Sequence, residues 1–161
     1  LIRRDSEIWQ YVDEGGAHGG AEPRQYYRYR QRLDGFVSLD AGESVGSFIT
    51  HPLTFSGDHL LMNIDASDGY ALVSLIDEQG QPIPGFTFTD CDTIRSNQVA
   101  AAVTWNRQSL LNEVEYQVVK VAVEMKNTKL YAFQFTKADV QARTKNFIKS
   151  QFLLKRYPKS R

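Results

Sequence analysis

The chain has 161 residues, of which 42% are hydrophobic and 24% charged, and its 19 basic residues balance its 19 acidic residues. A chain of this size forms one domain with appendages, and it buries enough surface to be stable without a disulfide or a metal. Charge neutrality argues against a nucleic-acid partner bound through bulk charge, and no apolar run approaches the ~20 residues of a membrane helix. Neither a nucleic acid nor a membrane is therefore expected as a partner.

Apolar and polar residues alternate with a period of two along most of the chain, which predicts β-strands. The predicted strands are residues 7–12, 24–33, 36–41, 47–55, 59–65, 70–78, 85–88, 98–105, 115–125 and 129–135. Turn-forming segments such as SGDH, DASDGY and KNTK separate them. Short strands without intervening helices favour an all-β fold, an antiparallel β-sandwich of jelly-roll or concanavalin-like type.

The alternation also predicts which side chains face the core. The inward residues are Gln117, Val119, Val121, Val123 and Met125 in one strand, and Tyr131, Phe133 and Phe135 in another. Leu130 is then expected to face outward.

The period changes in residues 137–156, which lack Gly and Pro and place Phe147, Ile148 and Phe152 at helical spacing. This pattern predicts a C-terminal helix within a basic tail, residues 136–161. From residue 137 onward the sequence has eight Lys or Arg and one acid. Such a segment is typical of a solvated helix, and it would also suit an acidic partner.

Aromatic and arginine residues concentrate near the N-terminus. In RQYYRYRQRL they alternate along a predicted strand, so that arginines dominate one face and tyrosines the other, and the Gly-rich loop EGGAHGG precedes it. Tyr and Arg are enriched at protein interfaces, and aromatic rings also stack on the apolar faces of sugars. The candidate residues for carbohydrate binding or an interdomain contact are Trp9, Tyr11, His18, Arg24, Tyr26, Tyr27, Arg28 and Tyr29.

The sequence contains no self-sufficient catalytic or metal-binding constellation, so we expect no catalytic residue, metal or cofactor in this chain. Most carboxylates stand in turns beside Gly, where Asp bonds its own backbone. Two interpretations of Asp40, Glu43 and Thr50 stay open: a sugar or calcium site, or turns that set strand register. Cys91 has an aspartate on either side, which disfavours the thiolate, and we expect a buried apolar residue rather than a nucleophile.

An ordered set of segments resembles a known family. LDGFVSLDAGESVGSFITHPLTFSGDHLLMNID, GYALVSLIDEQGQPIPGFTFTDCDTI, VTWN and KLYAFQF resemble the C-terminal β-sandwich module of bacterial glycoside-hydrolase-like proteins that carry an N-terminal five-bladed propeller, similar to glycoside hydrolase families 32 and 43. The resemblance implies that residues 1–31 end the propeller or form interdomain strands, and that residues 32–135 form the sandwich module. The tail, 136–161, departs from the family pattern.

The resemblance further implies a carbohydrate-active protein that is secreted or periplasmic and whose paired carboxylates lie on the propeller. The chain, which begins without Met, is expected to be a piece of such a glycoside hydrolase. It would be a non-catalytic accessory module that braces the propeller, its main partner, and contacts polysaccharide or oligosaccharide. The alternatives are a stand-alone carbohydrate-binding module and an interaction module that uses the basic C-terminal helix.

Overall fold

The computed structural model describes residues 1–14 and 25–137. The chain divides into two compact units, Leu1–Val37 and Ser38–Arg161. His18, Arg24 and all but the first residues of the predicted helix and basic tail lie outside the described residues. No segment of the described ranges forms a helix long and apolar enough to span a membrane.

The first unit contains a three-stranded antiparallel sheet with the order β1-β2-β3. Its strands are β1 (Ile2–Arg4), β2 (Glu7–Glu14) and β3 (Gln25–Arg32). The periodicity did not predict β1, which is three residues long and follows no alternating pattern. Asp5, with a φ of 51°, makes the tight turn from β1 into β2.

The second unit contains two antiparallel sheets. The four-stranded sheet has the order β4-β10-β6-β8, and the three-stranded sheet has the order β5-β9-β7. The strands are β4 (Leu39–Ala41), β5 (Gly46–Ile49), β6 (His59–Asp65), β7 (Tyr70–Ile76), β8 (Asn97–Ala102), β9 (Lys120–Lys126) and β10 (Thr128–Thr136). The two strands nearest the end of the described chain, β9 and β10, thus occupy interior positions, one in each sheet.

One hydrophobic cluster contains side chains from both sheets. It includes Leu60, Met62 and Ile64 of β6 and Val121 and Val123 of β9, all fully buried. The alternation predicted for residues 115–125 is confirmed from Val119 to Met125, where the inward set is buried, and is wrong at Gln117, which is exposed because it lies before β9 begins. The described residues are all-β and antiparallel, as predicted, and their arrangement is consistent with a β-sandwich.

The alternation predicted for β10 is wrong at its first residues. Leu130 is buried in the core, and Phe133 and Phe135 also pack against it. The pairing with β6 shifts between Leu130 and Ala132, so a β-bulge inserts one extra residue there. A bulge reverses the side-chain alternation on its far side, which lets Leu130 and Phe133 face the same interior.

The strand predicted at 85–88 is also wrong, because the backbone turns there. Gly85 has a φ of 85°, and the Phe86 amide donates to the carbonyl oxygen of Ile83 at 3.0 Å. Pro at the second position and Gly with positive φ at the third are the signature of a type II turn. Residues 85–88 therefore belong to no sheet, and the turn brings Phe86 into the hydrophobic cluster.

Candidate functional site

Strand register in the first unit sorts the predicted binding residues onto two faces. Trp9 pairs with Arg30, Tyr11 with Arg28 and Asp13 with Tyr26, whereas Val12 pairs with Tyr27 and Gln10 with Tyr29. Directly opposed residues of an antiparallel pair share a face. The arginine face therefore comprises Ile2, Arg4, Glu7, Trp9, Tyr11, Asp13, Tyr26, Arg28, Arg30 and Arg32. The tyrosine face comprises Arg3, Ile8, Gln10, Val12, Glu14, Gln25, Tyr27, Tyr29 and Gln31.

Trp9 is the centre of the arginine face. The guanidinium carbon of Arg28 lies 4.4 Å from the centroid of the indole ring, and that of Arg4 lies 5.3 Å from it. The indole Nε1–H donates to Glu7 Oε2 at 2.7 Å, and Glu7 Oε1 lies 3.8 Å from Arg30 Nη1. Cations within about 6 Å of a ring face are attracted by its quadrupole. Trp9 therefore positions the charged side chains around it, and its ring is already in contact with other side chains of the protein.

Two other aromatic residues of the arginine face are open to solvent. Tyr11 is 59% exposed and lies directly opposite Arg28, and Tyr26 is 73% exposed and precedes Arg28 by two residues on the same strand. A tyrosine ring beside a guanidinium offers an apolar surface next to several hydrogen-bond donors. This combination suits a ligand that has both apolar and oxygen-rich parts.

The tyrosine face is more apolar than the arginine face, and its aromatic rings contact different residues. The rings of Tyr27 and Tyr29 lie 6.5 Å apart between centroids, and the Tyr27 hydroxyl donates to Gln25. Ile8 is half-buried and Val12 is exposed on the same face. No side chain in the described part of this unit is buried. An isolated sheet of this kind is marginal in water, so a cover over one face would stabilise it.

The carboxylates of the second unit are anchored in local structure. Asp40 binds Ser38 and Lys129, and the hydrogen bond from Lys129 is the main reason why its pKa lies below the usual value. The Thr87 side chain, with its backbone amide, lowers the pKa of Asp90. Hydrogen bonds from the Thr104 hydroxyl and the Arg107 amide do the same for Asp92.

The alternative site at Asp40, Glu43 and Thr50 receives no support from the geometry. Thr50 exchanges two hydrogen bonds with Val121: its amide donates to the carbonyl and its hydroxyl oxygen accepts from the amide, both at 3.0 Å. Asp40 is held by Lys129. Within the described ranges, no three His, Cys, Asp or Glu residues come together in a way that could hold a metal ion.

Cys91 is buried, and desolvation raises its pKa to about 11. Its sulfur accepts a hydrogen bond from the Val73 amide at 3.2 Å. A thiol that stays protonated at neutral pH is a weak nucleophile, and the expected apolar role agrees with this environment.

Sequence reasoning missed Arg4 and Glu7 as members of the arginine face. Arg4 enters it only because β1 folds back on β2, which pairs Arg4 with Glu7. The one available signal was the Asp5-Ser6 step between IRR and EIW, a short turn that brings two charged strand ends together.

Comparisons with protein-family models, with curated proteins and with solved structures found no match to this chain.

Proposed function

We propose that this chain is a non-catalytic accessory module of a carbohydrate-active, glycoside-hydrolase-like protein that is secreted or periplasmic. Its sandwich is of the jelly-roll or concanavalin-like type. It braces the catalytic propeller of the parent protein and contacts glycan through the sheet of the first unit. The observation that carries the proposal is the separation of that sheet into an apolar tyrosine face and a solvent-exposed arginine face.

The state of the carboxyl groups supports a non-catalytic role. A glycosidase needs a carboxylic acid with a raised pKa and a second carboxyl group about 5 to 9.5 Å away. Asp40, Asp90 and Asp92 instead have lowered pKa values, because each accepts hydrogen bonds that favour its charged form. Groups of this kind stabilise turns and are poor proton donors at neutral pH.

Exposed aromatic residues beside arginine support glycan contact. Tyr11 and Tyr26 present their rings on the same face as the Arg28 guanidinium. The apolar C–H faces of a sugar pack on such rings, while its hydroxyl groups accept hydrogen bonds from guanidinium.

The tyrosine face supports the bracing role. Tyr27, Tyr29 and Val12 form an apolar surface on a sheet that has no buried side chain among its described residues. Tyr is enriched at protein interfaces, where its large ring is buried and its hydroxyl finds a partner.

Affinity gel electrophoresis on a panel of polysaccharides, together with turnover assays on glycosides, tests the proposal. We expect retardation without turnover, and we expect Tyr11→Ala combined with Tyr26→Ala to abolish the retardation. Tyr29→Ala, on the opposite face, is the matched control and should leave it unchanged. Turnover that single Asp→Asn changes abolish would contradict the non-catalytic role, and an absence of retardation on every polysaccharide would contradict glycan contact.

A further inference from the structure

Arg4 and Arg28 form an unusual pair of cations on the arginine face. Both lie over the same Trp9 ring, at 5.3 and 4.4 Å from its centroid, and both are exposed. Within residues 1–14 and 25–137, neither guanidinium forms an ion pair with a carboxylate. Glu7, the carboxylate nearest to the indole edge, is bound to Trp9 Nε1–H and faces Arg30.

Contact with the face of an indole positions a guanidinium without consuming its hydrogen-bond donors. The attraction acts through the ring face, so the N–H groups along the edges of the guanidinium stay available to other partners. Those edges match the two oxygens of a carboxylate or a sulfate. Arg28 and Arg4 are therefore held ready for an oxyanion, and each side chain has lost part of its conformational freedom before binding.

The charge on this face also favours an anion. Arg4, Arg28, Arg30 and Arg32 face outward on the same side as Glu7 and Asp13, so four cations stand against two anions. Arg4 and Arg28 belong to the outer strands β1 and β3, with Trp9 on the middle strand, so each can meet an oxyanion of an extended polymer.

We propose that the arginine face binds an acidic polysaccharide, one whose sugar rings carry carboxylate or sulfate groups. Arg28 and Arg4 bind the oxyanion, and the exposed rings of Tyr11 and Tyr26 pack on the adjacent sugar. This inference rests on the proposed glycan contact and adds the chemical class of the glycan.

The test uses the whole chain and two pairs of polymers in affinity electrophoresis. The first pair is polygalacturonate and the same polymer after carboxyl reduction, and the second is dextran sulfate and dextran. We expect retardation by the acidic member of each pair and at least tenfold weaker affinity for its neutral counterpart. Added salt should weaken the binding, because exposed charges are screened.

Matched variants locate the binding on the face. Arg28→Gln and Arg4→Gln should each weaken binding to polygalacturonate about tenfold, the loss of one charge-assisted hydrogen-bonded contact. Arg3→Gln removes the same charge from the opposite face of the sheet and should leave the affinity unchanged. Arg28→Lys, which keeps the charge but loses the planar group, should bind more weakly than the wild type.

The outcomes separate this inference from the function on which it rests. Equal binding to neutral and acidic polymers would overturn the inference and leave glycan contact standing. Binding to none of the four polymers would overturn the inference, and the wider panel of polysaccharides would then decide whether glycan contact stands. Binding that Arg3→Gln weakens as much as Arg28→Gln would show bulk charge attraction, and tighter binding to single-stranded oligo-dT than to any polysaccharide would assign the face to nucleic acid; each overturns the inference.

Discussion

The side chain of Trp105 contacts two other parts of the core, at Val73 and at Phe86. Its Nε1–H donates to the Val73 carbonyl oxygen at 3.0 Å, and its ring meets Phe86 edge-on at 5.3 Å between centroids. The residue is only 2% exposed. Its indole therefore fills space in the hydrophobic cluster and also supplies a hydrogen bond to a carbonyl group of β7.

Truncating this side chain should be among the most costly single changes in the second unit. We expect Trp105→Ala to reduce the free energy of unfolding by about 3–5 kcal/mol, from lost burial and the cavity left behind. Trp105→Phe keeps most of the volume but leaves the Val73 carbonyl unpaired, and it should cost about 1–3 kcal/mol. Urea unfolding followed by circular dichroism measures both, and a loss below 1 kcal/mol for the alanine variant would contradict this account.

Cys91 predicts a loss of stability at alkaline pH. Its folded-state pKa of about 11 lies above the ordinary thiol value of 9.0, because burial disfavours the thiolate. The stability that the protonated thiol contributes is complete below pH 9 and is lost as the pH rises toward 11. Unfolding free energies of the wild type and Cys91→Ala should therefore converge over this interval. Parallel pH profiles for the two proteins would contradict the prediction.

Asp92 predicts the opposite dependence at acid pH. Its carboxylate binds the Thr104 hydroxyl at 2.6 Å and the Arg107 amide at 2.7 Å, and these bonds lower its pKa from 3.8. The bond from the Arg107 amide also holds the second of two successive residues with positive φ, Asn106 and Arg107. The stabilisation is present above the unfolded pKa and is lost as the pH falls through the lower folded value.

We expect Asp92→Ala to lower the urea midpoint at neutral pH and to differ less from the wild type at acid pH, where protonation removes the wild-type carboxylate's hydrogen bonds. The exposed Glu43, changed to Ala, serves as the control and should show no such difference. An equal loss at both pH values would mean that the carboxylate acts only through its volume.

The corner between β9 and β10 is a closely packed connection between two strands. Asn127, with a φ of 45°, joins the two strands, and the Thr128 hydroxyl binds the carbonyl oxygens of Tyr70 and Lys126. Gly69 lies against this corner so closely that a Cβ there would stand 1.8 Å from the Lys126 carbonyl oxygen. The corner and the turn before β7 can approach only because Gly69 has no side chain.

Gly69→Ala should therefore destabilise the second unit by about 1–3 kcal/mol, since the backbone must move to admit one methyl group. Gly42→Ala is the matched control, because a Cβ at Gly42 meets no atom within 4 Å. Thermal unfolding compares the two variants, and equal midpoints would contradict the close approach.

The elements also show what alternation predicts and where it fails. β6 was predicted with its observed bounds, 59–65, since a fully buried strand between two turn signals leaves little ambiguity. Alternation also assigned the faces of residues 119–125 correctly, and it failed at Gln117, where no strand forms. Leu130 was assigned to the wrong face because a bulge depends on the neighbouring strand and leaves no period in the sequence.

The candidate site was predictable in part for a similar reason. Alternation placed Tyr26 and Arg28 on one face and Tyr27 and Tyr29 on the other, as the register has them. The contact of Arg4 with Trp9 was not predictable, because it depends on the pairing of β1 with β2. Short-range patterns thus assign faces, and cross-strand register assigns neighbours.

The two units of the chain differ in their source of stability. The hydrophobic cluster belongs entirely to the second unit, from Phe55 to Leu130, whereas the described part of Leu1–Val37 has no buried side chain. We expect a fragment that begins at Ser38 to keep one cooperative urea transition, because a core of this kind unfolds as a unit. Trp105 is then the sole tryptophan and reports the transition by fluorescence. A broad, non-cooperative transition would show that the fragment depends on residues 1–37.

The strand order has a consequence for how the chain is made. β10 lies between β4 and β6, and β9 lies between β5 and β7, so each sheet needs a strand from the end of the described chain at its interior. During synthesis β4 and β5 leave the ribosome some eighty residues before the strands that pair with them. The two sheets can therefore be completed only after β9 and β10 have been made, and a nascent chain stalled before Lys120 would display unpaired strand edges to chaperones and to other nascent chains.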